Sequence, residues 1–495
     1  MTGYCNKEQV HNRAIAAIGK TLQELNGGVS LVDSAHKSGA GDAWEKWFGK
    51  LKDSESAPDI LFPDGKSGVE LKATPIKRLK VKKNEVTPRF SAKERLVLNI
   101  INYNEVVKEE FDSSHFLFKN GTIELAFYEW SKDTYKDNFK IKNVALFEMM
   151  RNPIDAKIIR KDWHIIDEYI KAGKAHELSE RLTTYLSACT KGASAKSVRQ
   201  QPFSDIPAKQ RAYSLKSGYM TYLYNTYVLG IEKSESIIIE PFELEKNTLE
   251  EIILEKINPF IGKSQRELCE QFGVKANTKS TSPEILKHIL GLKSDVEQSQ
   301  EFMKAGIKPK SVSVIKGQEE LKEEFKIQEY KFADVCAEEG WEDSELHDFL
   351  DNTKFLISVW EMQAKNDKNP ILVGAKFWSM PENDVEKEAR EVYEDTVFKI
   401  KSGVEITWTP HRRLTNFIKS SPEMKLFSKL SAGQTSYSEV HADGRHYSEK
   451  LPVKIKWINR PIDKIEEYSD WYMTKQAWWL NKKYMYEQVK DIFSS

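Results

Sequence analysis

Charge of one sign is what this 495-residue chain lacks: 75 Lys and Arg stand against 75 Asp and Glu, a formal net charge of zero. A protein coated in basic residues is thereby excluded, and any nucleic-acid contact has to come from local clustering of cations. Cysteine is scarce too. Cys5, Cys189, Cys269 and Cys336 are scattered, with no Cys-x-x-Cys pair, which argues against a disulfide framework and against a zinc site. There is no apolar run of membrane-spanning length and no signal-peptide core near the start, so a cytoplasmic protein is expected. What is abundant is charge of both signs, 30% of residues. At this length two domains are the default expectation.

The chemistry concentrates in SAPDILFPDGKSGVELKATPIK, residues 56 to 77. Val69, Leu71 and Ala73 alternate with Glu70, Lys72 and Thr74, the period-two pattern of a half-buried strand, so Glu70 and Lys72 share a face. Asp59 lies upstream, after a proline. An aspartate and a glutamate side by side offer hard oxygen ligands to Mg²⁺, and a lysine beside them can orient an attacking water. Spacing alone says little, because acid-x-base triplets arise by chance roughly ten times in a chain this charged. The context says more: Pro58-Asp59, then a glycine-flanked apolar strand, with GDAWEKWFG (41–49) before it. Lys77, Arg78, Lys80, Lys82, Lys83, Arg89, Lys93 and Arg95 follow directly, a basic hairpin suited to gripping a phosphate backbone.

Further along, KEQVHNRAIAAIGKTLQEL (7–25) reads as an amphipathic helix broken at Gly19, and TIELAFYEW (122–130) as a central strand. KNVALFEM follows as another strand, and 158–180 as a long amphipathic helix. The chain then repeats itself. Ile18-Gly19-Lys20-Thr21 matches Ile261-Gly262-Lys263-Ser264 at an offset of 243, and Glu24-Leu25 matches Glu267-Leu268. KQRAYSLKSGYM (209–220) matches KQAWWLNKKYM (475–485), setting Tyr213 against Trp478; KNGTIELAFYEW is echoed by DNTKFLISVWEM. The common order of these pairs predicts one domain written twice, 1–232 and 248–495, joined by a linker at 233–247. The expected class is α/β, each copy a mixed central sheet flanked by helices. Aligning Gly68 with Gly306 puts Lys308 at Glu70 and Lys310 at Lys72. An ammonium where a cation would sit abolishes metal binding, so the second copy reads as catalytically dead and retained for binding DNA.

GDAWEKWFG, Pro58-Asp59 and GVELKATP together resemble the nuclease core of the MutH superfamily. KERLVLNIINY (93–103) and NGTIELAFYEW (120–130) are similar, more narrowly, to its two-lobed type II restriction endonucleases, which cut at GATC, and the resemblance runs over essentially the whole chain. It implies metal-binding acids at Asp59 and Glu70, the core lysine at Lys72, a further catalytic glutamate at Glu45 and a second active-site lysine at Lys119 in SSHFLFK. It also implies Mg²⁺ as cofactor, 5′-phosphate products, a recognition loop at TKGASAK (190–196) with Lys191, and a base contact by Tyr213. Trp478 is the candidate at the matching place in the second copy. The family's aspartate stands closer to the Glu-x-Lys than Asp59 does, and LFPDGKSG looks like an insertion that itself carries Asp64. Asp59 is preferred because it follows a proline in Ser-x-Pro-Asp, whereas Asp64-Gly65 reads as a turn; Asp64 is the alternative. The expected partners are double-stranded DNA containing GATC, a second chain joining on that DNA, and a cognate DNA methyltransferase. The rival readings are a mismatch-repair strand nickase and a non-catalytic GATC- or methylation-sensing protein.

Overall fold

The computed structural model describes residues 3–31, 39–50, 56–79, 88–191, 197–231 and 234–493. The chain divides into two compact units, 1–255 with 290–307, and 256–289 with 308–495. The seam expected at 233–247 thus lies inside the first unit, which also takes back a later segment.

In the first unit, Gly68–Arg78 runs parallel to Thr122–Glu129, which pairs antiparallel with Ile141–Glu148. Ile60–Leu61 closes the other edge. This is a mixed sheet, as the alternation and the apolar runs require. Helix Lys7–Ile15 and the helix Gly39–Trp47 cover it through Val10, Ala14, Ala43 and Trp44, which meet Val69, Leu71 and Ala126 in one buried cluster. A second sheet places Arg211–Leu215 between Leu96–Ile100 and Leu186–Thr190, antiparallel to both. The long helix Pro153–Lys171 is started by Asn152, whose side chain accepts the N–H groups of Ile154 and Asp155, with Pro153 at the first helical position. It ends earlier than the periodicity predicts. Gly173 turns the chain at φ +72°, and a Cβ there would lie 2.5 Å from the Phe203 carbonyl oxygen, so only glycine fits the stop. From its middle, buried Asp162 accepts three backbone N–H bonds, from Thr184 (2.7 Å), Tyr185 (2.6 Å) and Leu186 (2.9 Å), fixing where the next strand begins.

The second unit repeats this plan. Its strands Ile307–Ile315, Lys354–Met362 and Ile371–Trp378 lie in that order, the last two antiparallel. Gln476–Leu480 stands between Phe325–Tyr330 and Leu426–Leu430, antiparallel to both. The sequence echo has a structural cause. Gly19 and Gly262 both adopt φ +86°, and each donates its N–H over 2.8 Å to the same kind of strand, at Ile141 and at Leu372. Thr21 and Ser264 then cap the next helix with reciprocal bonds to Glu24 and Glu267, a box that satisfies otherwise unpaired N–H groups at each helix start.

Candidate active site

Strand pairing brings the first two acids together. Ile60 stands opposite Val69, so Asp59 falls beside Glu70. The link is reciprocal: Asp59 Oδ2 accepts the Leu71 N–H at 2.9 Å, and the Asp59 N–H points to Glu70 Oε2 at 3.3 Å. Gly68 permits this approach, since a Cβ there would lie 2.5 Å from the Ile60 carbonyl oxygen. The apparent insertion is the turn of this small hairpin, with Phe62 N–H bonded to the Ser67 carbonyl at 2.9 Å. Asp64 is spent on it. Its carboxylate accepts from Lys66 N, Ser67 N and Ser67 Oγ, on the solvent side.

Three ammonium groups surround the acids. Lys72 Nζ donates to Glu70 Oε1 at 2.8 Å. Lys119 Nζ donates to the Ala57 carbonyl at 3.1 Å and stands 3.8 Å from Glu70 Oε2. It rides on helix His115–Asn120, capped by Ser114 and tied to the acid loop where His115 Nε2 meets the Ser56 carbonyl oxygen at 2.6 Å. Lys50 Nζ donates to the Asp59 carbonyl at 2.9 Å and lies 3.6 Å from Oδ1. Lys50 and His115 are additions to the site that sequence reading missed. The signal for Lys50 was its place directly after GDAWEKWFG; His115 gave none, because it works through a main-chain carbonyl.

Glu45 comes in on helix Gly39–Trp47. Trp44 Nε1 bonds the Glu124 carbonyl at 3.3 Å, and the Arg13 guanidinium caps the helix end at the Trp47 carbonyl while stacking 3.7 Å from the Trp47 ring centroid. Burial pushes the Glu45 carboxyl up to about 7; repulsion from Asp59 and Asp42 adds to this, and Lys72 and Lys50 oppose it. Glu70, 2% exposed, is likewise raised by burial, with Lys72 pulling it down and Asp59 pushing it up. These carboxyls are short of positive charge even with their lysines in place. Among the described residues, no three His, Cys, Asp or Glu side chains converge as a ready-made metal centre. Two carboxylates plus a neighbouring main-chain carbonyl nevertheless fit a hard dication such as Mg²⁺, which keeps several positions for water and phosphate oxygens.

The raised Glu45 has a measurable sign. Its carboxyl binds a proton in the folded chain between about pH 4.5 and 7 that the unfolded chain has released, so its contribution to stability is complete below 4.5 and is lost as pH rises through 7. In metal-free buffer, Glu45→Gln is expected to match wild type in melting temperature below pH 4.5 and to gain roughly 2–3 °C by pH 7.5, a modest figure because the group is only half-buried. Thermal melts across that range check it; a constant difference would contradict it.

The DNA-contact candidates separate into two groups. Lys77 and Arg78 are exposed at the end of the Glu70 strand, with Arg78 Nε 3.1 Å from Glu129 Oε1. Lys191 is exposed, its N–H bonded to the Gln210 carbonyl at 2.8 Å. Lys80, Lys82, Lys83 and residues 192–196 of the expected recognition loop lie outside the described residues. Tyr213 and Trp478 require correction. Each is at the centre of the middle strand of its sheet, Tyr213 2% exposed with its ring 4.7 Å from Phe116, Trp478 0% exposed and stacked 4.5 Å from Tyr330. Their repeated aromatic character reflects core packing rather than a surface offered to a base.

In the second copy Ser311 Oγ lies 2.9 Å from Ser358 Oγ, as Ala73 stands in register with Ala126 in the first. This contact accords with the alignment that sets Lys308 against Glu70 and Lys310 against Lys72. The segment before this strand, where the first copy carries Asp59, is used otherwise. It runs with the first unit, where Glu301 accepts the Ile237 and Ile238 N–H groups (3.0 and 3.1 Å) and buried Lys304 pairs with Asp155 at 2.8 Å.

Comparison with known proteins places the chain among DNA-cutting enzymes. The family model described as DNA mismatch repair enzyme MutH matches residues 48–162, a span that contains Asp59, Glu70, Lys72 and Lys119. A protein named Type II restriction enzyme Sau3AI, from Staphylococcus aureus, is 45% identical over 511 residues, covering 99% of this chain and 100% of its own length.

Proposed function

Since this chain belongs to the MutH-like type II restriction endonucleases and is a site-specific deoxyribonuclease, we propose that it cleaves both strands of DNA at GATC, uses Mg²⁺ and leaves 5′-phosphates. The observation that carries the reading is the Asp59–Glu70–Lys72 constellation, two acids bonded to one strand with a lysine on the second of them. Asp59 and Glu70 would hold Mg²⁺, which when bound would supply positive charge to the scissile phosphate. Lys72, fixed on Glu70 Oε1, orients the water whose oxygen attacks phosphorus as the bond to the 3′-oxygen breaks. Glu45, with its carboxyl raised to about 7, is matched to accept that water's proton near neutral pH. Lys119 adds charge against the developing phosphorane.

One such centre per chain has to cut two strands of a palindrome, so two chains meet on the DNA about its twofold axis. The second copy, with lysines in place of the strand's carboxylate, binds DNA without cutting it. Host DNA is guarded by a methyltransferase of the same specificity, and the enzyme acts in the cytoplasm.

Unmethylated plasmid, incubated with Mg²⁺ or with EDTA and sequenced at its fragment ends, tests the proposal. Double-strand ends at GATC bearing 5′-phosphates, with Mg²⁺ only, are expected. Nicked circles alone would indicate the strand nickase, and intact plasmid the non-catalytic binder. Equal rates on one-site and two-site plasmids would remove an effector role for the second copy.

A further inference from the structure

The two units diverge most after their long helices. Between Arg390–Ser402 and Leu426–Leu430 the second unit has 23 residues, against 14 between Pro153–Lys171 and Leu186–Thr190 in the first; between Leu426–Leu430 and Gln476–Leu480 it has 45, against 20 between Leu186–Thr190 and Arg211–Leu215. The two additions meet. Glu405–Trp408 pairs antiparallel with Arg413–Thr415 and parallel with Lys456–Ile458, a small sheet built from both enlarged connections.

Its hairpin is stiff at the base and cationic at the tip. The Thr409 N–H bonds the Arg412 carbonyl at 2.9 Å and the Arg412 N–H returns to Thr409 Oγ1 at 2.9 Å, a closed turn with Pro410 where a turn favours it. Pro410, His411 and Arg412 are left exposed. Below them the Arg413 guanidinium bonds the Thr409 carbonyl at 2.8 Å and the Tyr468 hydroxyl, between the rings of Trp408 (5.1 Å) and Tyr468 (4.6 Å). Arg413 thus braces the turn. Residues 406–422 contain no acid at all, while carrying His411, Arg412, Arg413 and Lys419. Behind the tip, by contrast, Arg460 is neutralised by Asp470 at 2.6 Å. Positive charge is therefore left at the exposed tip.

We propose that hairpin 405–415 of the second unit enters a groove of double-stranded DNA, with His411 and Arg412 meeting the duplex and Arg413 as the positioning residue. A two-stranded ribbon fits the major groove, where the Arg412 guanidinium and the His411 ring at its tip meet phosphates and base edges. The strand Lys456–Ile458 that backs the hairpin comes from the second enlargement, between the strands that match those flanking residues 191–210 in the first copy. The assignment rests on the proposed reading that the second copy binds DNA.

The test uses the full chain carrying Glu70→Ala, so that DNA stays whole, and a fluorescent duplex of about 20 base pairs with one GATC, titrated by anisotropy over a range of salt. Adding His411→Ala with Arg412→Ala is expected to weaken binding about tenfold or more and to lower the slope of log affinity against log salt by about 1–2. Arg412→Lys restores most of the slope, and Lys387→Ala, an exposed cation on another element, changes it by less than one unit. Unchanged affinity and slope in the double variant would overturn the hairpin assignment while leaving the endonuclease reading intact. If the Glu70→Ala parent bound no duplex at all, the reading beneath it would fall as well.

Discussion

Glu70→Ala is expected to lower the rate of plasmid cleavage by at least about 10³-fold, with duplex binding retained. Glu70 is the most heavily committed group in the site: 2% exposed, bonded to Lys72, near Lys119, and met by the Asp59 N–H. Its removal deletes one of two carboxylate donors and releases the lysine that orients water. The fold is expected to tolerate the change, because the carboxyl is raised by burial and its charge costs stability where it sits. An unaltered melting temperature beside the lost activity would identify the loss as chemical; cleavage within tenfold of wild type would refute the assignment. Glu70→Gln separates charge from shape and is expected to be equally inactive.

The second large effect concerns which aspartate belongs to the site. Asp59→Ala is expected to lose about 10³-fold in cleavage, while Asp64→Ala stays within about threefold and loosens only its turn. Asp59 reaches the strand through the Leu71 N–H, whereas Asp64 is consumed by Lys66 and Ser67 on the hairpin turn. Parallel plasmid digests decide it. Loss of activity in the Asp64 variant with retention in the Asp59 variant would reverse the assignment.

Much of this was legible in the sequence because local rules carried it. The alternation of Val69, Leu71 and Ala73 fixed the strand and the shared face of Glu70 and Lys72, and the Gly19–Gly262 echo exposed the duplication because both glycines hold the same left-handed turn. The misses share a physical reason. Tyr213 and Trp478 looked like paired contact residues, yet an aromatic repeated between two copies of a fold is first a packing requirement, and burial is a property of the sheet as a whole. Lys50 and His115 act through carbonyl oxygens of Asp59 and Ser56, and no side-chain pattern records which main-chain atoms will be within reach. The long helix was overrun because its stop depends on a carbonyl, that of Phe203, thirty residues further on.

The path of residues 290–307 gives the duplication a direction. Lys304 and Glu301 come from the later copy in sequence, yet they neutralise Asp155 and satisfy the 237–238 amides in the earlier one. Leaving Asp155 buried beside Tyr219 without its cation would cost the first unit about 3–5 kcal/mol. The first unit therefore depends on a segment that the sequence places in the later copy. A chain cut short before residue 290 would lose that brace, so the first unit is expected to need residues 290–307 for its full stability.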